Sequence, residues 1–282
     1  MVATLLLVLF CSPLNSFATG QDGDIVIIDD EEWELLARPI YSSGISKEFE
    51  AMLPKERSKT TANWEGYTAI WSIRDNMLVL DSIRVGYASR QNPQMKYQTL
   101  PAQNFTTLFG KYQKDGRIVA TWYSDTIRAG RGSVVLYEHS GYMRNYENEM
   151  VLRIVNGKVN RGETYNNGVV TKGFSIHDFE KMNDADRRQL LDIHPEKYPD
   201  LSGKSRVLVQ MSKLTFDAQG NLCDGNIKVL LPQQGGNVEV KPLSTAVKKA
   251  LINIKPWKVL RINGSYQTDF YGLWNLPVKL TD

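Results

Sequence analysis

Apolar residues alternate with other residues through the middle of the sequence, and this pattern limits what the chain can form. The clearest stretch follows Trp64, where Tyr67, Ala69, Trp71 and Ile73 recur at every second position. A period of two puts such side chains on one face of a strand. Further along, Asn156-Gly157 separates two more apolar stretches, and both residues accept the positive φ that a two-residue hairpin turn needs. Residues 64–160 are therefore predicted to form a mainly antiparallel sheet.

Shorter patterns predict the elements around this sheet. Residues 25–28 are apolar and predict a first strand, while Trp33, Leu35 and Phe49 suggest one or two short helices within 31–53. The glycine-containing segment 128–132 predicts a break between strands. Residues 183–193 predict a helix that begins after Asn183, because asparagine is a preferred N-cap residue.

The last eighty residues have the most regular pattern. Residues 206–216 alternate strongly, a turn follows at 217–220, and 226–231 predict a return strand. One apolar stripe with helical spacing comes next, formed by Leu243, Ala246, Val247, Ala250, Leu251 and Ile254. Such a stripe predicts a helix with one buried face, which Pro256 then ends. The turn signal Asn263-Gly264 leads into a closing strand over 270–280.

This order of elements resembles the TonB C-terminal domain family over residues 203–282. The matching residues are Phe216-Asp217 with Gly220, Leu243 with Ala246 and Ala250, Lys255-Pro256-Trp257-Lys258, Asn263-Gly264 and Leu276-Pro277-Val278. The resemblance implies a small unit of strand, strand, helix and strand. It also implies the family's mode of recognition, in which the extended segment of a partner adds as a strand at a sheet edge.

The earlier part of the chain has a resemblance of its own. Trp64-Glu65-Gly66-Tyr67, Trp122-Tyr123 and His139-Ser140-Gly141-Tyr142 are similar to segments of uncharacterised exported proteins of Gram-negative gut bacteria. This resemblance implies no biochemical role. It predicts only that the region forms a separate N-terminal module.

The first residues have the layout of a cleavable secretory signal. An apolar run over 3–10 is followed by Ser16-Phe17-Ala18, which has small residues at the positions that a signal peptidase requires. Lipidation at Cys11 is a weaker alternative, because the large Phe10 precedes that cysteine. We expect cleavage near Ala18 and a location in the periplasm, at the cell surface or outside the cell. Cys223 is then the one remaining cysteine, which excludes an internal disulfide.

These observations predict an α+β chain in four parts. The parts are a signal peptide over 1–18, a β-rich N-terminal module over 19–175, a helical connector over 176–202 and the TonB-C-like domain over 203–282. Lysine and arginine are scattered and the net charge is +3, so we expect no nucleic-acid partner. No second long apolar run is present, so we expect no transmembrane segment in the mature chain.

Catalytic and metal chemistry find little support in the sequence. His139 lies near Glu138, Glu147 and Glu149, but it lacks the second histidine at close spacing that is typical of metal sites. Asp125 follows Trp122-Tyr123, an arrangement that suggests a glycosidase acid, yet no spacing identifies the second carboxyl group that this chemistry needs. We therefore expect no catalytic residues, no metal and no cofactor.

Aromatic residues are the candidate binding residues. The set consists of Trp122, Tyr123, His139, Tyr142 and Tyr146, and its alternative role is to fill the core of the sheet. The predicted function is non-enzymatic binding of an envelope protein through a sheet edge. The first alternative is recognition of a carbohydrate or the cell wall by an aromatic face, and the second is a hydrolase.

Overall fold

The computed structural model describes residues 20–88 and 94–281, and the predicted signal peptide over 1–18 lies outside these ranges. Strands hold 48% of the residues and helices 19%, and the sheets are mainly antiparallel, which places the chain in the predicted α+β class. Among the described helices, none has the length and apolar character that a bilayer span requires.

The first ten strands belong to one sheet. They are β1 (Asp24–Ile28), β2 (Glu31–Leu35), β3 (Tyr67–Arg74), β4 (Met77–Tyr87), β5 (Lys96–Pro101), β6 (Gln113–Lys114), β7 (Arg117–Val119), β8 (Asp125–Tyr137), β9 (Arg144–Val155) and β10 (Lys158–Asn166). Their order is β10-β9-β8-β2-β1-β3-β4-β7-β6, with β5 also paired to β4. Only the β1–β3 pair is parallel among these pairings.

The sheet closes on itself through a bridge between β10 and β4. Lys158 pairs with Met77, and the amide of Leu78 donates to the carbonyl of Gly157 at 2.8 Å. We call the closed ring of β1–β4 and β8–β10 the barrel. The Asn156-Gly157 turn next to this bridge has the positive φ angles predicted for it, 48° and 76°. The predicted hairpins over 67–80 and 150–159 are therefore confirmed.

The barrel is filled by large apolar side chains from its inner faces. Tyr67, Ala69 and Trp71 of β3 are buried, as their alternation predicted. Helix α1 (Ser46–Met52) contributes Phe49, whose ring packs against Tyr67 with centroids 5.1 Å apart. Each fully buried aliphatic or phenyl side chain in such a core contributes roughly 1.5–3 kcal/mol.

Two local predictions in this region are wrong. Residues 31–35 form strand β2 and not a helix, because Asp29 and Asp30 both adopt positive φ and turn the chain back onto β1. Residues 128–132 do not break the sheet but lie inside β8. The strand continues because it bulges between Arg131 and Val134 without losing its pairing with β9.

The remaining strands form two smaller sheets. They are β11 (Gly168–Thr171), β12 (Arg206–Phe216), β13 (Leu222–Gln233), β14 (Gly236–Glu239), β15 (Val259–Ile262), β16 (Ser265–Gln267) and β17 (Leu273–Lys279). One sheet has the order β14-β13-β12-β17, and the other has the order β11-β15-β16. The helices of this region are α2 (Asp178–Lys181), α3 (Asp184–Leu190) and α4 (Lys241–Asn253).

Helix α4 covers the four-stranded sheet with the predicted apolar stripe. Leu243, Val247 and Leu251 are completely buried against it. Ser244 lies on the same face, where its hydroxyl donates to the carbonyl of Val240 and accepts from the amide of Val229 at 2.9 Å. The helix is therefore fixed to β13 by a buried hydrogen bond as well as by apolar packing.

Helix α3 lies along the outer edge of β17. Its predicted N-cap is confirmed, since the side chain of Asn183 accepts from the amide of Asp186 at 2.8 Å. From this helix, Arg188 donates to the carbonyl of Lys279 at 2.8 Å, and Asp184 accepts from the amide of Lys279 at 3.1 Å. Pro277 next to this point has no amide hydrogen to offer. One edge of the four-stranded sheet is thus occupied by a helix.

Several contacts join the barrel to residues 259–271 in the last part of the chain. Strand β11 follows the barrel directly and pairs with β15 from the last part of the chain. The hydroxyl of Tyr271 donates to the side chain of Asn145 on β9. Leu136 of β8 packs with Leu260 and Ile262 in a small apolar cluster. The main apolar cores themselves are separate, one from residues 26–159 and the other from residues 176–280.

Candidate functional site

A cavity of about 580 Å³ opens at the surface of the barrel. It lies where the chain entering β1, the segment after β2, the turn before β3, the start of β8 and the β8–β9 loop meet. Its lining consists of Gln21, Leu36, Ala37, Arg38, Tyr41, Ser42, Trp64, Glu65, Tyr123, Asp125, Ile127, Gly141 and Tyr142. The volume is within the range of small-molecule sites, about 300–1,000 Å³.

Four aromatic rings line this cavity. Trp64 and Tyr41 are 64% and 63% exposed, respectively, which is unusual for side chains of this size. Tyr123 is buried, and Tyr142 is half-buried. Burial raises the pKa of the Tyr142 hydroxyl to about 12, so this group remains a hydrogen-bond donor at neutral pH. The cavity therefore combines exposed ring faces with hydroxyl groups.

Arg38 is the charged group that the fold holds most firmly in the lining. Its side chain is only 7% exposed. The Nε atom donates to the carbonyl of Asp22 at 3.0 Å, and Nη1 donates to the Glu65 carboxylate at 2.6 Å. The guanidinium also lies over the ring of Tyr67, 5.4 Å from its centroid. Three sets of contacts thus fix the orientation of this side chain.

The Nη2 atom of Arg38 is buried but has no hydrogen-bond partner among the described residues. A buried polar group without a partner costs about 1–3 kcal/mol, more if it is charged. Nη2 has almost no solvent-accessible surface, so a ligand in the cavity does not reach it. The cavity instead offers the Glu65 carboxylate as an acceptor and the hydroxyl of Tyr142 as a donor. Groups that both donate and accept, such as hydroxyls, complement this pair.

The turn that carries Trp64 and Glu65 is fixed by its own side chains. Asn63 accepts from the amide of Gly66 at 3.0 Å and donates to the carbonyl of Tyr67 at 2.9 Å. Gly66 has a φ of 71°, and a Cβ there would lie 2.7 Å from the carbonyl oxygen of Ser58. Only glycine fits this position, so the turn is set before any ligand arrives.

Two further carboxylates act on the cavity. Asp125 is exposed, accepts from the amide of Thr126 at 2.7 Å, and is 3.4 Å from the hydroxyl of Tyr123. Asp24 is completely buried behind the lining and accepts from Trp71 Nε1 and the amide of Ala69, both at 3.0 Å. Burial raises the pKa of Asp24 to about 6, although the nearby positive charge of Arg38 opposes the shift.

The structure brings two of the five sequence-predicted site residues into the cavity, Tyr123 and Tyr142. Trp122 lies beside them but packs in the core, with its ring stacked on Phe109 and its Nε1 donating to the carbonyl of Pro39 at 2.8 Å. His139 lies against Tyr137, with ring centroids 5.0 Å apart.

Tyr146 lies on the sheet, outside the cavity. Its ring covers Gly130 of β8, and its hydroxyl donates to the carboxylate of Glu34. Burial, with a smaller contribution from this hydrogen bond, raises the pKa of Tyr146 to about 12. These contacts give Tyr146 a structural role in the barrel wall.

The sequence analysis did not identify Arg38, Tyr41 or Glu65 as members of the site. Their signal in the sequence is weak, because they come from irregular segments and converge only through the closure of the barrel. In the sequence, Trp64 is part of the Trp64-Glu65-Gly66-Tyr67 segment, and Asp125 is an acid without an identified partner. Their common location could not be predicted from spacing.

A second cavity, of about 720 Å³, lies beside the end of β17. Its lining is mostly proline, serine, glycine and leucine, and Tyr198 is its one aromatic residue. It lacks the convergence of rings and fixed charges that the barrel cavity has, so the barrel cavity is the candidate site.

Comparison of the chain with protein-family models, curated proteins and solved structures finds no match. The resemblance of residues 203–282 to the TonB C-terminal domain family therefore stays a prediction.

Proposed function

We propose that this chain is a non-enzymatic binding protein whose barrel cavity holds a saccharide. The observation that carries the proposal is the fixed Arg38–Glu65 pair in the lining, next to the exposed rings of Trp64 and Tyr41. Sugar rings present apolar C–H faces that pack on aromatic side chains, and their hydroxyls both donate and accept. Both features of a sugar therefore find complementary groups in one cavity.

Binding is favoured over hydrolysis by the state of the carboxylates. Glycosidases need one carboxyl group as an acid and a second as a base or nucleophile. Glu65 is already engaged as the acceptor of a 2.6 Å ion pair with Arg38. Asp125 is the one other carboxylate of the lining, so the cavity has no second free carboxyl group to pair with it. This arrangement suits recognition better than proton transfer.

The test is an oligosaccharide array followed by calorimetry with the best binder. Trp64→Ala is expected to weaken binding roughly fivefold to thirtyfold, since a stacked aromatic ring contributes on the order of 1–2 kcal/mol. The matched control is Tyr97→Ala on β5, because Tyr97 is similarly exposed, at 67%, but does not line the cavity. Equal losses for the two variants, or no binder on the array, would contradict the proposal.

Strand addition of a protein partner is the second candidate function, and the open edge of β14 favours it. Strand β14 pairs with β13 on one side and has no strand on the other among residues 20–88 and 94–281. The opposite edge, β17, is occupied by α3. If the predicted TonB-C-like behaviour applies, the partner adds at β14 and not at the last strand.

Proline substitutions test this second candidate. Successive amides of a strand point to opposite edges. Asn237→Pro therefore removes a donor that points to the open edge, and Val238→Pro removes a donor that points to β13. An envelope protein that the native chain retains should no longer be retained by Asn237→Pro. Val238→Thr keeps the backbone and should retain it. If both proline variants retain the same protein, its contact lies elsewhere.

We also propose the location that the sequence suggests, the periplasm or the cell surface after cleavage near Ala18. Fractionation of the source cells with an antibody against the chain tests it.

A further inference from the structure

We propose that the saccharide carries a free, positively charged amino group, and that Asp125 recognises it. This inference rests on the proposed saccharide site and names the chemical class of its ligand. It identifies Asp125 as a specificity-determining residue and makes amino sugars the preferred ligands over their acetylated or neutral counterparts.

The first argument is that Asp125 lacks a cationic partner. Across the described ranges, no lysine, arginine or histidine forms an ion pair with it. Its hydrogen bonds come from the neutral amide of Thr126 and the neutral hydroxyl of Tyr123. These bonds hold the carboxylate in place without balancing its charge.

The second argument is the charge of the whole lining. Arg38 is its one positive residue, and Glu65 and Asp125 are its two negative residues. The 2.6 Å ion pair balances Arg38 against Glu65, so one negative charge is left, at Asp125. The buried Asp24 behind the lining adds to this negative field when it is ionised. A phosphate or carboxylate on the ligand is therefore disfavoured, and a cation is favoured.

The third argument comes from the neighbours of Asp125. Tyr123, Tyr142 and Trp64 line the same cavity, and the faces of tyrosine and tryptophan rings attract cations. At the same time, the hydroxyl of Tyr142 in the lining is a donor for an acceptor oxygen. A simple cation lacks that oxygen, and a neutral sugar lacks the positive charge. An amino sugar carries both groups.

The experiment compares a glucosamine trisaccharide with its N-acetylated counterpart by calorimetry, in slightly acidic buffer where the sugar amine is protonated. The native chain is expected to bind the free amine roughly 1.5-fold to fivefold more tightly, the range for an ion pair open to solvent. Asp125→Asn should abolish this preference, because it keeps the shape and the acceptor oxygen but removes the charge. Its melting temperature should equal that of the native chain.

The outcomes separate the two proposals. If the acetylated sugar binds equally well and Trp64→Ala weakens both, the saccharide site stands and the role of Asp125 is wrong. If neither sugar binds but a lysine-rich peptide does, the saccharide proposal is wrong and the ligand is a cationic peptide. If the preference for the amine persists in Asp125→Asn, another group recognises the charge and the inference is overturned.

Discussion

The carboxylate of Asp24 accepts a hydrogen bond from the indole nitrogen of Trp71 at 3.0 Å, inside the core of the barrel. Trp71 is completely buried, and so is Asp24. An ionised carboxylate in such a place is expensive, because two accepted hydrogen bonds only partly replace the water that it loses. The pair therefore links the packing of the barrel to the pH of the medium.

This link gives a prediction for stability. The pKa of Asp24 is about 6 in the folded chain and 3.8 as its ordinary value, so the folded chain binds the extra proton between these values. The stabilisation is complete below about pH 4 and is lost as the pH rises through about 6. Relative to Asp24→Asn, the native chain should lose about 3 kcal/mol of unfolding free energy across this window. Urea denaturation at several pH values measures it, and a constant difference between the two chains would contradict it.

Arg38→Lys should weaken ligand binding while the barrel stays folded. Lysine keeps the positive charge beside Glu65 but lacks the planar fork that bonds to the Glu65 carboxylate and the carbonyl of Asp22 together, so Glu65 is held less firmly in the lining. We expect affinity for the saccharide to fall about tenfold to a hundredfold, the value of one hydrogen bond to a charged group. Arg57→Lys is the control, because Arg57 is equally buried near the same turn, donating to the carbonyl of Glu65, but does not line the cavity. Similar affinities for both variants would show that the Arg38–Glu65 pair does not contribute to ligand binding.

Gly130→Ala should destabilise the barrel wall. A Cβ at this position would lie 2.1 Å from Cδ2 of Tyr146, so the ring must move and its hydrogen bond to Glu34 must break. Such overpacking costs about 1–3 kcal/mol. Gly168→Ala on β11 is the matched control, since a Cβ there meets nothing within 4 Å. Thermal unfolding measures the difference in melting temperature between the two variants. If the melting temperatures are equal, the ring of Tyr146 shifts at no cost and the prediction is wrong.

Ser244→Ala should destabilise the chain more than the same kind of substitution on the exposed face of α4. The substitution leaves the amide of Val229 buried without a partner, which costs about 1–3 kcal/mol. The neighbouring Thr245→Ala removes a hydroxyl that bonds only to Lys241 of its own helix and faces solvent. We expect a clear loss of unfolding free energy for the first variant and almost none for the second. Equal values would mean that water satisfies the Val229 amide.

Signals that act within a few residues predicted much of this fold. The Asn156-Gly157 turn, the cap at Asn183 and the stripe of α4 each depend on local geometry, and each is present in the structure. The helix expected at 31–35 is a strand because Asp29 and Asp30 form a tight turn with positive φ. Aspartate adopts that conformation much less readily than glycine, so the turn is a weak signal in the sequence.

The candidate site could be predicted only in part, because its members meet through long-range closure. Tyr123 and Tyr142 were predicted to be aromatic binding residues, and they do line the cavity. Arg38 follows a strand that was predicted to be a helix, which hid its position. The contact of Arg38 with Glu65 joins residues that are 27 positions apart, and no periodic pattern indicates such a pair.

The position of α3 on β17 has a consequence for how copies of this chain can associate. A sheet with two open edges can add strands in both directions and grow into a fibre. Here the side chains of Asp184 and Arg188 occupy the backbone groups of Lys279 on one side. Two copies joined through β14 would therefore turn their covered edges outward, and growth through this sheet would stop at a pair.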